Sequence, residues 1–264
     1  MHIRAEKPFS YGYNEIATID NQAQNSLMDF GILRLGAGHS FAETQPLECA
    51  YLLICGEVRL EWAGNTQTIA RGNCFDDAPW ALHVPQNTAV TITALAESEI
   101  AVQRTENARD FSAKLYTPQD TPDEHRGAGT MRETSTRIVR TIFDHSNAPY
   151  ANLVLGEVIG CPGKWSSYPP HHHPQPEIYF YRFLPENGFG YAELDETVIK
   201  THHNSTVFIT GRETHPQTTA PGYAMWYLWV IRHLPNDPYI TPTFEPEHLW
   251  VTQSDAPIWP PDAE

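Results

Sequence analysis

The sequence has no run of about 18 consecutive apolar residues, so no transmembrane helix is expected. Its opening, MHIRAEKPFS, has no apolar h-region; no secretory signal is expected, and the cytoplasm is the default location. Cysteine is scarce. Cys49, Cys55, Cys74 and Cys161 form no CxxC pair, which argues against a zinc ribbon or a redox dithiol and leaves four free, mostly buried thiols. Basic residues are outnumbered, 17 against 32 acidic, for a net charge of −15. Such a surface repels phosphate backbones and anionic lipids, so neither nucleic acid nor a membrane is expected as a partner. Sustained amphipathic-helix periodicity is also missing, and at most a short helix is expected near 106–116 or 245–251.

What the chain has instead is frequent punctuation. Its 22 prolines and 16 glycines are spread along the whole length and cut it into short segments, as suits an all-β fold. Those segments are β-branched, aromatic or alternating: 51–62, 88–95, 98–105, 152–160, 177–183, 205–211 and 224–233. A strand pair around Gly56 and a second group beginning at EIYFYRF follow the same order of strand, polar turn and strand, which predicts one antiparallel β-sandwich unit used twice. The polar, Pro- and Gly-rich stretch 116–135 reads as a linker between a half spanning 1–115 and a half spanning 136–264.

The chemical signal lies in PPHHHPQPEIYFY, residues 169–181. His171 and His173 are two apart, so an extended strand projects them to one side. A bend at Pro174 or Pro176 would bring Glu177 to the same point, and His215 in GRETHPQ is a fourth candidate. Three imidazoles and one carboxylate form a ligand set for a transition metal with a coordination position left open. His172 should point away. The run is internal and flanked by strand-like sequence, which argues against a tag remnant. The first half has no such set; His83 alone stands near the position matching His215.

The spacing His171-x-His173-x3-Glu177 with a later His215 resembles the two motifs of the cupin superfamily. The longer strings GKWSSYPPHHHPQPEIYFYRF and HPQTTAPGYAMWYLWVI, with FGYAEL and EPEHLWV, resemble the 5-deoxy-glucuronate isomerase family of inositol catabolism. A broader relative is 4-deoxy-L-threo-5-hexosulose-uronate ketol-isomerase. The chain departs from the family pattern at HHNST (202–206), at GRETH and at Trp229. The resemblance implies an all-β bicupin, two antiparallel jelly-roll β-sandwiches, of which the second binds metal. It also implies interconversion of an aldose and a ketose, with a divalent metal, zinc or manganese placed first, polarising the carbonyl. The expected partner is a small sugar acid, and strand edges leave room for a homo-oligomer.

On that reading Glu157, on the strand leading into the metal motif, is the candidate general base if its parity turns it inward. Tyr179 and Tyr181 share the parity of Glu177, and Tyr223 and Tyr227 flank the second motif's far strand; Tyr179 and Tyr227 are placed among catalytic residues, Tyr181 and Tyr223 among substrate contacts. The substrate carboxylate calls for a cation, for which Lys164 is preferred and Arg212 is an alternative. Whether a proton or a hydride moves is left open. The competing readings are another cupin metalloenzyme, such as an Fe(II) dioxygenase, and a sugar-acid-binding module; the ligand set alone does not separate them.

Overall fold

Each β-branched or aromatic segment singled out above is extended in the computed structural model, which describes residues 1–5 and 8–260. The strands are Glu48–Trp62, Ala89–Ala94, Ser98–Thr105, Leu153–Gly160, Glu177–Leu184, Ser205–Ile209 and Ala224–Arg232. Shorter strands between them complete an all-β, antiparallel architecture. Among the described residues no α-helix forms, and none is long and apolar enough to cross a membrane. A 3-10 helix, Pro246–Thr252, occupies one of the two expected helical positions. Residues 106–113 form neither helix nor strand.

In the first half one strand builds both walls of a barrel. Residues 48–55 of Glu48–Trp62 pair with Ala81–Val84 and Ser98–Thr105. Residues 56–62 pair instead with Asn65–Arg71 and Ala89–Ala94. Gly56 is therefore not the turn of a strand pair; it is the corner at which one strand passes from one wall to the other. Its φ of 107° is open to glycine, and a Cβ there would lie 2.2 Å from Ser98 Oγ. The hairpin turn itself falls at Ala63 and Gly64, both with positive φ.

In the second half Ser205–Ile209, Glu177–Leu184, Ala224–Arg232, Leu153–Gly160 and Arg137–Phe143 lie side by side in that order. A second sheet is made by Trp165–Ser166, Gln217–Thr219, Phe189–Leu194 and Thr197–His202. The stretch read as a linker is structured: Glu124–Arg126 pairs with Arg137–Phe143 and extends this half's large sheet. The first strand, His2–Arg4, pairs with Ser205–Ile209 and so also belongs to the second half's sheet.

Strand parity divides the apolar residues among three cores. Leu33, Tyr51, Leu53 and Leu60 fill the first barrel. Tyr179, Tyr181, Phe183, Met225 and Tyr227 fill the second. The residues between them in sequence, such as Ile178, Phe180, Trp226 and Leu228, face out of the second barrel and pack against Phe30, Ile32, Leu52 and Ile54 of the first half. At roughly 1.5–3 kcal/mol for each large side chain fully buried, this shared core holds the two halves against each other. Beside it the Glu48 carboxylate accepts from Asn107 Nδ2 (2.7 Å), the backbone N–H of Asn152 (2.8 Å) and that of Leu153 (3.2 Å), and lies 2.8 Å from His83 Nε2. His83 is thus a packed residue of the contact between halves, stacked on Phe143.

Candidate metal centre

Prolines at 169, 170, 174 and 176 keep the chain around the histidines from forming a long strand. Only His171–His172 is extended, pairing with Thr243–Phe244, and regular pairing resumes at Glu177. There Glu177 opens an eight-residue strand set between Ile209 and Ile231 of its neighbours. His215 arrives from the loop after Ser205–Ile209, and its N–H donates to His171 O at 3.3 Å.

Donor atoms of His173, Glu177 and His215 lie within 4.8 Å of one another, the one such His/Cys/Asp/Glu group among the described residues. His173 Nε2 is 3.2 Å and His215 Nε2 3.4 Å from Glu177 Oε2. All three residues are buried. His171 stands beside this set, its ring centroid 4.8 Å from that of His215. His172 is turned out of the cavity, 3.7 Å from Glu245.

The hydrogen bonds behind the rings decide what the cluster can hold. His171 Nδ1 donates to Pro169 O at 3.0 Å, His173 Nδ1 to Gln175 O at 2.9 Å, and His215 Nδ1 to Glu213 O at 2.8 Å. A carbonyl only accepts, so in each case the Nδ1 carries the hydrogen. In a neutral ring Nε2 then presents a lone pair. Burial lowers His215 from its ordinary pKa and pushes His171 down to about 3, favouring the neutral form of both. His215 Nε2 therefore presents a lone pair toward Glu177 and has no hydrogen-bond partner although it is buried, while His173 Nε2 lies within hydrogen-bond distance of the same carboxylate. A buried lone pair set against a carboxylate is repulsive unless a cation lies between them. The residues fit a divalent metal, and the carbonyl behind each ring is the support that metal-ligating histidines commonly have.

The cluster opens onto a cavity of about 420 Å³. Tyr179 and Tyr227 line it, as parity within the barrel requires. Tyr227 Oη is 2.5 Å from Ser166 Oγ and 3.4 Å from Ser167 Oγ, and Tyr179 Oη is 3.2 Å from Ser167 Oγ. Burial raises both phenols above their ordinary pKa, so they are neutral hydroxyls at neutral pH.

The other residues proposed from sequence lie elsewhere. Glu157 faces out of the barrel and is fully buried; Arg71 Nη2 donates to it at 2.7 Å, Arg140 Nη1 at 3.0 Å and Trp226 Nε1 at 3.0 Å. On the same strand Val154 and Val158 are the residues that line the cavity. Tyr181 is inside the barrel but does not line the cavity, its hydroxyl donating to Gln217 Oε1 at 2.5 Å. Lys164 sits in the turn after Leu153–Gly160, Arg212 is exposed, and Tyr223 packs on Phe189; none lines the cavity. The cations that do are Arg137 and Arg126. Reading RIVRTIF as a strand would have found the first, since Arg137, Val139 and Thr141 all reach the cavity by alternation. Ser166 and Ser167 stand within WSSYPP, where no spacing marks them out as cavity residues.

The corresponding positions of the first barrel are filled differently. Cys49 and Tyr51 point inward there as Glu177 and Tyr179 do in the second, and Glu43 precedes Cys49 by the same interval as His171 precedes Glu177. Arg104 donates to both oxygens of Glu43, at 2.9 and 2.7 Å, and Tyr51 Oη donates to it at 2.7 Å. A guanidinium balances that carboxylate.

Two antiparallel barrels in one chain, one with a His/Glu cluster at its cavity, define a bicupin. The chain belongs to the KduI/IolB family, whose family model matches residues 2–251. It is 30% identical over 236 residues to a 5-deoxy-glucuronate isomerase of Geobacillus kaustophilus, covering 80% of each chain. The crystal structure of an IolB-like protein from Salmonella typhimurium superposes with a TM-score of 0.83 at 24% identity, covering 92% of this chain and 96% of that one. An oxalate decarboxylase of Bacillus subtilis shares the fold with a TM-score of 0.66 at 11% identity, over 96% of this chain and 81% of its own.

Proposed function

We propose that this chain is a metal-dependent sugar-acid isomerase, converting 5-deoxy-glucuronate to 2-deoxy-5-keto-gluconate or acting on a close analogue. The observation that carries the reading is the convergence of His173 and His215 on Glu177, with His215 Nε2 unpartnered, at the wall of a hydroxyl-lined cavity. The relatives named for this isomerase support the substrate class.

His173, Glu177 and His215 would hold the metal, with His171 as fourth ligand. The donor set of three nitrogens and one oxygen suits zinc or manganese. When bound, a divalent ion supplies Lewis-acid stabilisation of the negative charge that develops on the carbonyl oxygen. Aldose–ketose exchange requires the hydrogen on the hydroxyl-bearing carbon to move to the aldehyde carbon, one oxygen to lose a proton and the other to gain one. The neutral hydroxyls of Tyr227, Ser166, Ser167 and Tyr179 form a connected row that can pass that proton between the two oxygens. The other carboxylate at the cavity besides Glu177 is Asp144, which accepts from Ser146 N and Oγ. Walls of hydroxyl groups favour the route in which hydrogen moves between the carbons with its electron pair and only the hydroxyl proton needs a carrier.

Metal analysis of the purified protein, with NMR detection of 5-deoxy-glucuronate turnover on the same sample, tests the proposal. About one metal per chain and turnover abolished by a chelator are expected. Stoichiometric metal with no turnover of this compound or of related sugar acids would refute the isomerase reading. Turnover unaffected by complete metal removal would refute the role of the metal.

A further inference from the structure

We propose that Arg137 binds the carboxylate of the substrate, with Arg126 as a second cation at the same wall of the cavity. The assignment rests on reading the substrate as a sugar acid.

Buried arginines in this protein are compensated. Arg71 pairs with Glu157, Arg104 with Glu43, Arg140 with Glu157 and Asp123, and Arg182 with Glu99. Arg137 and Arg232 are half-buried and meet only neutral acceptors, and of the two only Arg137 lines the cavity. The Nη1 of Arg137 donates to Ser135 O at 2.8 Å and to Ser135 Oγ at 3.0 Å, and its Nη2 donates to Tyr168 O at 3.4 Å. All three acceptors are neutral. Among the described residues no carboxylate pairs with it, in a chain with 32 acidic residues from which a partner could have been drawn. The bonds to Ser135 and Tyr168 fix the plane of the fork without neutralising it.

The neighbour across the sheet increases the imbalance. Arg126 is the register partner of Arg137 on the adjacent strand, and it lines the same cavity. Like charges directly opposite in a sheet are destabilising unless an anion lies between or above them. Arg126 is partly balanced by its exposed contact with Glu124 at 2.8 Å; Arg137 has nothing comparable. A planar guanidinium presented to a cavity matches a carboxylate in a bidentate fork better than an ammonium would. The cation also faces the hydroxyl row: it favours ionisation of Tyr227, against the rise that burial causes. An anion held by Arg137 therefore lies along the cavity wall that carries Tyr227 and leads to the histidine cluster, so one end of the substrate is fixed by charge and the other is presented to the reacting end.

The test does not depend on turnover. Metal-loaded wild type is titrated with D-glucuronate and with D-glucose, following the fluorescence of Trp229 in the cavity wall. The wild type is expected to prefer the carboxylate-bearing sugar by about 10- to 100-fold, and Arg137→Met to lose that preference with metal content unchanged. Arg137→Lys, which keeps the charge but loses the fork, is expected to retain a weaker preference, and it serves if Arg137→Met does not fold. Equal binding or no binding of the two sugars by wild type, or an unchanged preference in either variant, overturns the assignment. Turnover of 5-deoxy-glucuronate separates the two proposals. If Arg137→Met turns it over with unchanged KM, the isomerase reading stands and this assignment falls. A preference that depends on Arg137 in a protein that turns over no sugar acid keeps this assignment while the isomerase reading falls.

Discussion

Glu157→Ala is expected to destabilise the protein strongly while leaving its chemistry intact. The Glu157 side chain is fully buried, as is that of Arg71, and the Arg140 side chain is 4% exposed. Removing the carboxylate strands one guanidinium without a counter-ion and leaves the other dependent on Asp123 alone. Breaking a buried pair by deleting one partner costs roughly 3–5 kcal/mol. At about 2–4 °C per kcal/mol for a chain near this size, the midpoint of thermal unfolding should fall by roughly 6–20 °C. Arg71→Met/Glu157→Met should lose less than Glu157→Met alone, because it leaves Arg140 with Asp123 and no stranded Arg71. Differential scanning calorimetry gives the midpoints. Initial rates taken well below the transition give kcat, which should stay within about threefold of wild type, since Glu157 lies on the far side of its strand from the cavity. A thousandfold loss of kcat with an unchanged melting temperature would refute this reasoning and restore Glu157 as the general base.

Other outcomes follow from the same geometry. His215→Ala and His173→Ala should each reduce bound metal below about 0.1 per chain by mass spectrometry while the far-UV circular dichroism of the strands persists; full metal content in either would remove it from the ligand set. Gly56→Ala should cost about 3 kcal/mol or more in urea unfolding, combining a strained positive φ with a Cβ driven into Ser98; a change within 0.5 kcal/mol would show that this corner can relax. His233 is held down to about 4, chiefly by burial, against 6.5 in the unfolded chain. Between those values the unfolded state binds the extra proton, so the stability its neutrality contributes is present above pH 6.5 and is lost as pH falls toward 4. The urea midpoint of His233→Asn should therefore vary less with pH across that window than the wild type's, and an equal slope would assign the effect to other groups.

Much of this protein was legible because strands alternate. The spacing of His171, His173 and Glu177 pointed to a cluster, and the same period of two set Tyr179 and Tyr181 on the inner face, of which Tyr179 reaches the cavity. Alternation does not say which face is which when both are buried. All eight residues of Leu153–Gly160 are buried, one face against the barrel interior and the other against the first half, so nothing in that strand marked Glu157 as facing outward. Lys164 and Arg212 were chosen for their closeness in sequence to the ligands. The cations at the cavity come from Arg137 and Arg126, on strands that reach the site through sheet pairing and not through chain proximity. The corner at Gly56 was missed because a glycine amid strand-forming residues reads equally as a turn or a bend.

The crossing of the first strand bears on how the chain is made. His2 pairs with Val207, so a strand made early waits for a partner made much later. At about 5–20 residues per second the interval is roughly 10–40 s, during which the first barrel can close but residues 2–4 have no sheet to join. The large sheet of the metal-binding barrel thus draws on segments from both halves. A change to residues 2–4 would act on the second barrel, at the edge of the sheet that carries Glu177.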